Sequence, residues 1–305
     1  MLSLRLISAA CLVSALILGL YFDYWLGLPS QTGRPGIIFG IVVTLAAALG
    51  AGEMIQLFRG QCQGLSIRFA MITGGLMIGI CSIPIAWRDY PADCQVGQFG
   101  WMMMGLTVAV GLAFLTEMIL FGKQPHPTDR IARYGLAFVY LLLLFGFLIA
   151  HRRLQGDNLL GIVAVICLIT TVKMSDTAAY FTGKTLGRRK LAPRLSPGKT
   201  VEGAVGSLVG GCLGTATIIF VVSPLICGLT IEKQWWWFLV YGVTITLFGI
   251  VGDLAESLLK RDAEIKDSSS WIPGMGGLLD VVDSLVFAAP VSYFLWLLAD
   301  LPPGQ

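Results

Sequence analysis

Nine apolar runs, each about as long as a bilayer is thick, dominate this chain and leave little freedom in what it folds into. With a window of about 19 residues they fall at roughly 4–22, 36–55, 69–87, 99–121, 134–150, 159–181, 203–223, 235–254 and 279–298. A backbone crossing lipid must satisfy its own hydrogen bonds, so the expectation is an all-α, polytopic integral membrane protein with about nine transmembrane helices. Composition agrees: 56% of the 305 residues are hydrophobic and 13% charged, about half the charge of a soluble domain. The first run could serve as a signal-peptide core, but it has the length of a span and lacks a small-x-small cleavage site before Asp23. Residues 1–305 read as a single membrane-embedded domain. Within it 1–150 are N-terminal helices that complete the bundle or admit lipid, and 159–298 are the catalytic helices.

The seven cysteines show no CxxC spacing and no His-rich partner, so they read as small apolar side chains rather than zinc or redox sites. A net charge of +3, dispersed along the chain, gives no footprint for nucleic acid. The distribution of charge says more. Fifteen of the 21 Lys and Arg fall in alternate loops on one side, which places the N-terminus in the cytoplasm and, with nine spans, the C-terminus outside. On that topology Glu53, Glu117, Lys173, Asp176, Glu202, Asp253, Glu256, Asp280 and Asp283 all lie towards cytoplasmic helix ends. Unpaired charges near a bilayer cost at least a few kcal/mol, so a one-sided set points to a polar cavity open to the cytoplasm.

Asp253, Glu256, Ser257 and Lys260 recur at i, i+3, i+4 and i+7, and so share a helix face. A polar loop follows, then Pro273-Gly274-Met275-Gly276-Gly277, then Asp280, Asp283 and Ser284. Carboxylates from two helix ends suit Mg²⁺, which keeps water and is completed by substrate phosphates. Gly276 and Gly277 would let a phosphate approach the backbone. The competing interpretation is that these acids only pair with Lys260, Arg261 and Lys266 to hold helices together. Upstream, Gly198-Lys199-Thr200 hints at a P-loop, but that motif needs Gly where Pro193 stands and a strand before it, and no strand is expected. The basic run Arg188-Arg189-Lys190 could hold a phosphate-bearing ligand or anchor on anionic lipid. Lys199 and Glu202, at a helix start, look more like site residues. Trp235-Trp236-Trp237 reads as an interfacial belt.

Ser257-Leu258-Leu259-Lys260-Arg261, Lys266-Asp267 and Pro273 to Asp283 resemble the C-terminal pattern of the phosphatidate cytidylyltransferases (CDP-diacylglycerol synthases). Asp176 to Phe181 and Ser196 to Gly203 resemble that family's two upstream blocks, so the likeness runs from about Asp176 to Tyr293. Met275 and Val281 depart from the pattern, standing where the family commonly has His and Arg. The resemblance implies transfer of CMP from CTP to phosphatidate in a cytosol-facing cavity of the inner membrane, with Mg²⁺ and a K⁺ ion. Asp253 and Asp280 would be the principal metal ligands, with Asp283 nearby. Lys260, Arg261, Lys266 and Lys199 would neutralise phosphates; Asp267, Asp176 and Glu202 would orient those cations; Ser257, Gly276 and Gly277 would line the substrate site. The implied partners are CTP, phosphatidate and the lipid bilayer, and the assembly could include a homodimer. A polyprenol kinase, an ether-lipid cytidylyltransferase and a cation transporter remain as alternatives.

Overall fold

A computed structural model describes residues 2–28, 36–87, 90–91, 94–154, 157–226, 228–229, 231, 235–265, 268–269, 272–274 and 276–299. Lys266, Asp267 and Met275 lie outside them. Among the described residues the regular elements are helices and one hairpin: α1 (Leu2–Leu26), α2 (Ile37–Phe58), α3 (Ile67–Cys81), α4 (Ile83–Ala86), α5 (Gly97–Ile119), α6 (Pro127–Arg152), α7 (Asn158–Leu186), β1 (Lys190–Ala192), β2 (Ser196–Thr200), α8 (Val201–Ile226), α9 (Trp235–Asp262), α10 (Leu278–Val282) and α11 (Leu285–Leu298).

Among the described residues six helices, α2 and α5 to α9, are long and apolar enough to cross a membrane, as expected of a multi-pass protein. The anticipated count of about nine is not established: Ile67–Cys81 and Leu285–Leu298 are shorter, and within α1 the apolar stretch described is Cys11–Leu26. Two of the expected spans are broken by sequence. The run over 69–87 stops at Ser82, where Pro84 starts the separate turn α4. The run over 279–298 is interrupted at Asp283-Ser284, between α10 and α11.

Helix starts follow local chemistry. The Ser66 hydroxyl accepts from Phe69 N (3.2 Å), the Asp157 carboxylate from Leu159 N and Leu160 N (2.7 and 2.9 Å), and the Thr200 hydroxyl from Gly203 N (3.0 Å). Each satisfies an amide that the first turn would otherwise leave bare.

The chain divides into two compact units, the first comprising 1–150 with 262–281 and the second 151–261 with 282–305. In the first, α2 and α3 pack through small residues: a Cβ on Gly74 would press on the Ala51 methyl at 2.8 Å. Arg130, in the first turn of α6, is buried. Its Nε lies 2.9 Å from both carboxylate oxygens of Glu117, and a second nitrogen reaches the Pro125 carbonyl. A charge removed from water needs a partner, and the loop-by-loop count could not see one.

In the second unit α7 and α8 run close together along a glycine stripe. A Cβ on Gly206 would overlap the Thr182 side chain, and one on Gly210 would overlap the Ala178 methyl. Of the tryptophan run, Trp237 packs inside the protein. It is 7% exposed, stacks on Tyr241 (5.3 Å between centroids) and meets Trp296 edge-on (5.2 Å), while Trp235 and Trp236 stay exposed.

Candidate functional site

In the second unit, β2 pairs antiparallel with β1, setting Lys190 opposite Thr200 and Ala192 opposite Ser196, and then runs directly into α8. Gly198-Lys199-Thr200 therefore lie within β2, itself preceded by β1, where no strand was expected; the three residues are in a strand rather than a phosphate loop, which with Pro193 excludes a P-loop. The Glu202 carboxylate ties the basic turn down. It accepts from Arg188 N (2.9 Å) and Arg189 N (3.2 Å), so it holds backbone amides. The Arg261 guanidinium donates to the Leu195 carbonyl at 3.3 Å, beside the hairpin turn.

This scaffold places Lys199 at a cavity of about 480 Å³, within the range of small-molecule sites. Asp176, Tyr180, Lys184, Lys199, Thr200 and Asp253 are among its lining residues. Lys199 Nζ stands 2.6 Å from Asp253 Oδ2, with about a quarter of each side chain exposed. Lys173 Nζ stands 3.4 Å from Asp176 Oδ2. Ser284 bridges two acids: its hydroxyl lies 3.4 Å from Asp176 Oδ2 and 3.0 Å from Asp283 Oδ1, and Ser284 N donates to the same Asp283 oxygen at 2.6 Å. One hydroxyl proton serves one acceptor at a time. Gly252 allows this contact, since a Cβ there would meet the Asp283 carbonyl at 2.5 Å. Lys260 pairs with Glu256 at 3.1 Å on α9, and Ser257 is half-buried on the same helix. The cavity thus brings together Lys199, Asp176 and Asp253 of the expected residues. Glu202, Ser257, Lys260 and Arg261 are not in its lining.

Gly276 and Gly277, in the loop that precedes α10, and Asp280, in its first turn, belong to the first unit. Ile272 and Gly276 exchange backbone hydrogen bonds (2.9 and 3.2 Å), closing a turn in which Gly274 and Gly276 have φ of 80° and 95°. Positive φ at both explains the glycines there. Asp280 Oδ2 accepts from Gly277 N (2.7 Å), Ser268 N (2.9 Å) and Ser268 Oγ (2.7 Å). Reaching back from the third helical residue to the residue before the helix is the acidic half of a capping box. Glu53 of α2 takes the next two amides, Leu278 N at 3.0 Å and Leu279 N at 2.9 Å, together with Ser269 Oγ at 2.8 Å.

On the side where a side chain would project, the two glycines face groups of the protein itself. A Cβ on Gly276 would meet the Asp280 carboxylate, and one on Gly277 would meet Glu53 Oε2 at 2.7 Å and Ser269 Oγ at 2.7 Å. The protein's own acids and hydroxyls occupy that space. Glu53 was visible in sequence only as one carboxylate near a helix end, with no chemistry assigned; its partners lie more than 200 residues away. Ser284 was seen only as part of a spacing.

Among the described residues no three His, Cys, Asp or Glu side chains form a ready metal centre. The donor chemistry still suits a hard cation: Asp253 and Asp176 each hold an ammonium, and Mg²⁺ commonly takes only one or two carboxylates before substrate oxygens complete it.

A family model described as "Cytidylyltransferase family" matches residues 5–299. The phosphatidate cytidylyltransferase of Bacillus subtilis is 32% identical over 251 residues, covering 82% of this chain and 87% of its own length. That of Pseudomonas aeruginosa is 30% identical over 268 residues, covering 86% and 89%. The uncharacterized protein YnbB of Escherichia coli is 40% identical over 201 residues, covering 64% and 63%. A match from the first helix to the last takes in the Lys199–Asp253 cavity and the glycine-rich loop alike, and the chain belongs to the cytidylyltransferase family.

Proposed function

We propose that this protein transfers CMP from CTP to phosphatidate, giving CDP-diacylglycerol and pyrophosphate. The family match over 5–299, with relatives named phosphatidate cytidylyltransferase over more than four fifths of the chain, carries this reading. The cavity lined by Lys199, Asp176 and Asp253 is its chemical support.

A phosphatidate oxygen attacks the α-phosphorus of CTP in line. The new P–O bond forms as the bond to the bridging α–β oxygen breaks, and pyrophosphate leaves with that electron pair. A phosphomonoester is largely dianionic near neutral pH, its second pKa being about 6, so the nucleophile needs no strong base. The work left to the protein is positioning and charge neutralisation. Lys199 meets the nucleotide phosphates, with Lys260, Arg261 and Lys266 as further cations. Asp253, Asp283 and Asp280 are the carboxylates that would hold Mg²⁺, which when bound supplies charge neutralisation at the phosphates. Ser284 and Asp176 fix the orientation of the acids beside Asp253. Loop charges support a cytoplasmic N-terminus and a site facing the cytoplasm from the inner membrane.

Transfer of label from α-labelled CTP to phosphatidate in detergent with Mg²⁺, with pyrophosphate assayed in parallel, tests the proposal. Labelled lipid with equimolar pyrophosphate supports it. CDP as co-product assigns a lipid kinase instead, and no turnover with phosphatidate overturns the substrate. Met275 and Val281 make ether-linked and other phosphomonoester lipids the acceptors to try next.

A further inference from the structure

We infer that Glu53 is a positioning residue for this reaction, the buried anchor that fixes the glycine-rich loop and with it the Asp280 carboxylate. The inference rests on the cytidylyltransferase reading for its kinetic part. Glu53 sits one turn before the end of α2 and is 5% exposed. A carboxylate withdrawn from water that far is stabilised only by donors aimed at it, and Glu53 has them on both oxygens. Oε1 accepts from Ser269 Oγ and Leu278 N; Oε2 accepts from Leu279 N and lies 3.5 Å from Ser268 Oγ.

These donors belong to the two arms of one loop. Ser268 and Ser269 lie before the turn closed by Ile272 and Gly276, and Leu278 and Leu279 lie after it. Asp280, in the first turn of α10, is joined to the same network through Ser268, whose hydroxyl stands between the two carboxylates. Leu279, 1% exposed, seals the arrangement against α2, where a Cβ on Gly50 would touch it at 3.6 Å. Glu53 therefore fixes the first turn of α10 from outside, while Asp280 caps it from within. Moving Glu53 changes where Asp280 stands without touching its chemistry.

The test compares the wild-type protein with Glu53→Gln and Ser269→Ala in three measurements. These are kcat and KM for CTP, hydrogen exchange of peptides covering 276–282 without nucleotide or metal, and the thermal midpoint. Gln keeps the shape but turns an NH₂ towards backbone amides that can only donate, so one of them loses its acceptor. We expect kcat to fall about 10-fold or more in Glu53→Gln, KM to stay within about 2-fold, and exchange over 276–282 to quicken, with Ser269→Ala smaller in the same direction. A purely structural role lowers the thermal midpoint and the folded yield but leaves kcat per folded molecule alone, and that result overturns the inference. So does wild-type exchange in both variants. If Glu53→Gln does not fold, Ser269→Ala decides by the same criteria. A wild-type protein inactive on CTP defeats the functional reading, and the exchange measurement still judges the anchor.

Discussion

Asp253 and Asp280 have the same side chain, but the regions around them hold it by opposite means. In the second unit Asp253 faces an ammonium at 2.6 Å, across a cavity that a ligand can enter. In the first unit Asp280 Oδ2 faces two N–H groups and a hydroxyl at 2.7–2.9 Å, against a turn with no room for a Cβ. A carboxylate paired with a mobile cation can exchange that cation for another, whereas one that caps a helix is a structural fixture first. The difference teaches that a motif's acids need not share one job. The pocket is built to change partners and the loop is built to stay put.

Neutralising either acid should have the largest effect and should separate the two regions. We expect Asp253→Asn and Asp280→Asn each to lower kcat/KM by at least about 100-fold, near 3 kcal/mol of transition-state stabilisation. Only Asp280→Asn should also speed hydrogen exchange over 276–282, since the amide offers the three donors a weaker acceptor. Equal exchange in both variants would dissolve the comparison.

Glycine substitution probes the same contrast through packing. Gly277→Ala forces a methyl against Glu53 and Ser269 and should destabilise the protein by about 1–3 kcal/mol, as overpacking generally does. Gly198→Ala, in β2, meets nothing within 4 Å and should shift the thermal midpoint by less than about 1 °C. The pair is read by thermal denaturation in one detergent.

Lys199→Gln should act mainly on binding, raising KM for CTP about 10-fold as a charge-assisted contact worth about 1.5 kcal/mol is lost. A fall in kcat with KM unchanged would move Lys199 from the nucleotide phosphates to the reacting centre. Smallest of all, Ser284→Ala removes the hydroxyl between Asp176 and Asp283 and should cost about 3-fold in kcat/KM, measured at saturating lipid.

Much of the fold was legible beforehand because lipid imposes a strict rule: apolar runs of about 20 residues become helices, and seven of the nine runs each fall on one principal helix. The other two, over 69–87 and 279–298, are broken at Ser82 and at Asp283-Ser284. The small hairpin of β1 and β2 was not legible, being too short and too charged to carry a period. The burial of Arg130 was not legible, because counting cations by loop ignores partners, and Glu117 provides one inside the protein. Nor was the packing of the Trp237 ring on Tyr241 and Trp296 legible.

For the site, residue chemistry and spacing alone led to the expectation that Asp253, Asp280 and Asp283, carboxylates at two helix ends, suit a hard cation, and that Lys199 is a site residue. Spacing along one helix fixes a shared face, and that is local information. Only the tertiary structure decided which partner each acid has: Lys199 for Asp253, Ser284 for Asp283, the Gly277 and Ser268 amides for Asp280. It also brought Glu53 to residues more than 200 positions later in the chain. Hydrogen bonds and ion pairs fall off within a few ångströms, so they belong to neighbours in space, and a sequence records neighbours in space only where the chain happens to keep them close.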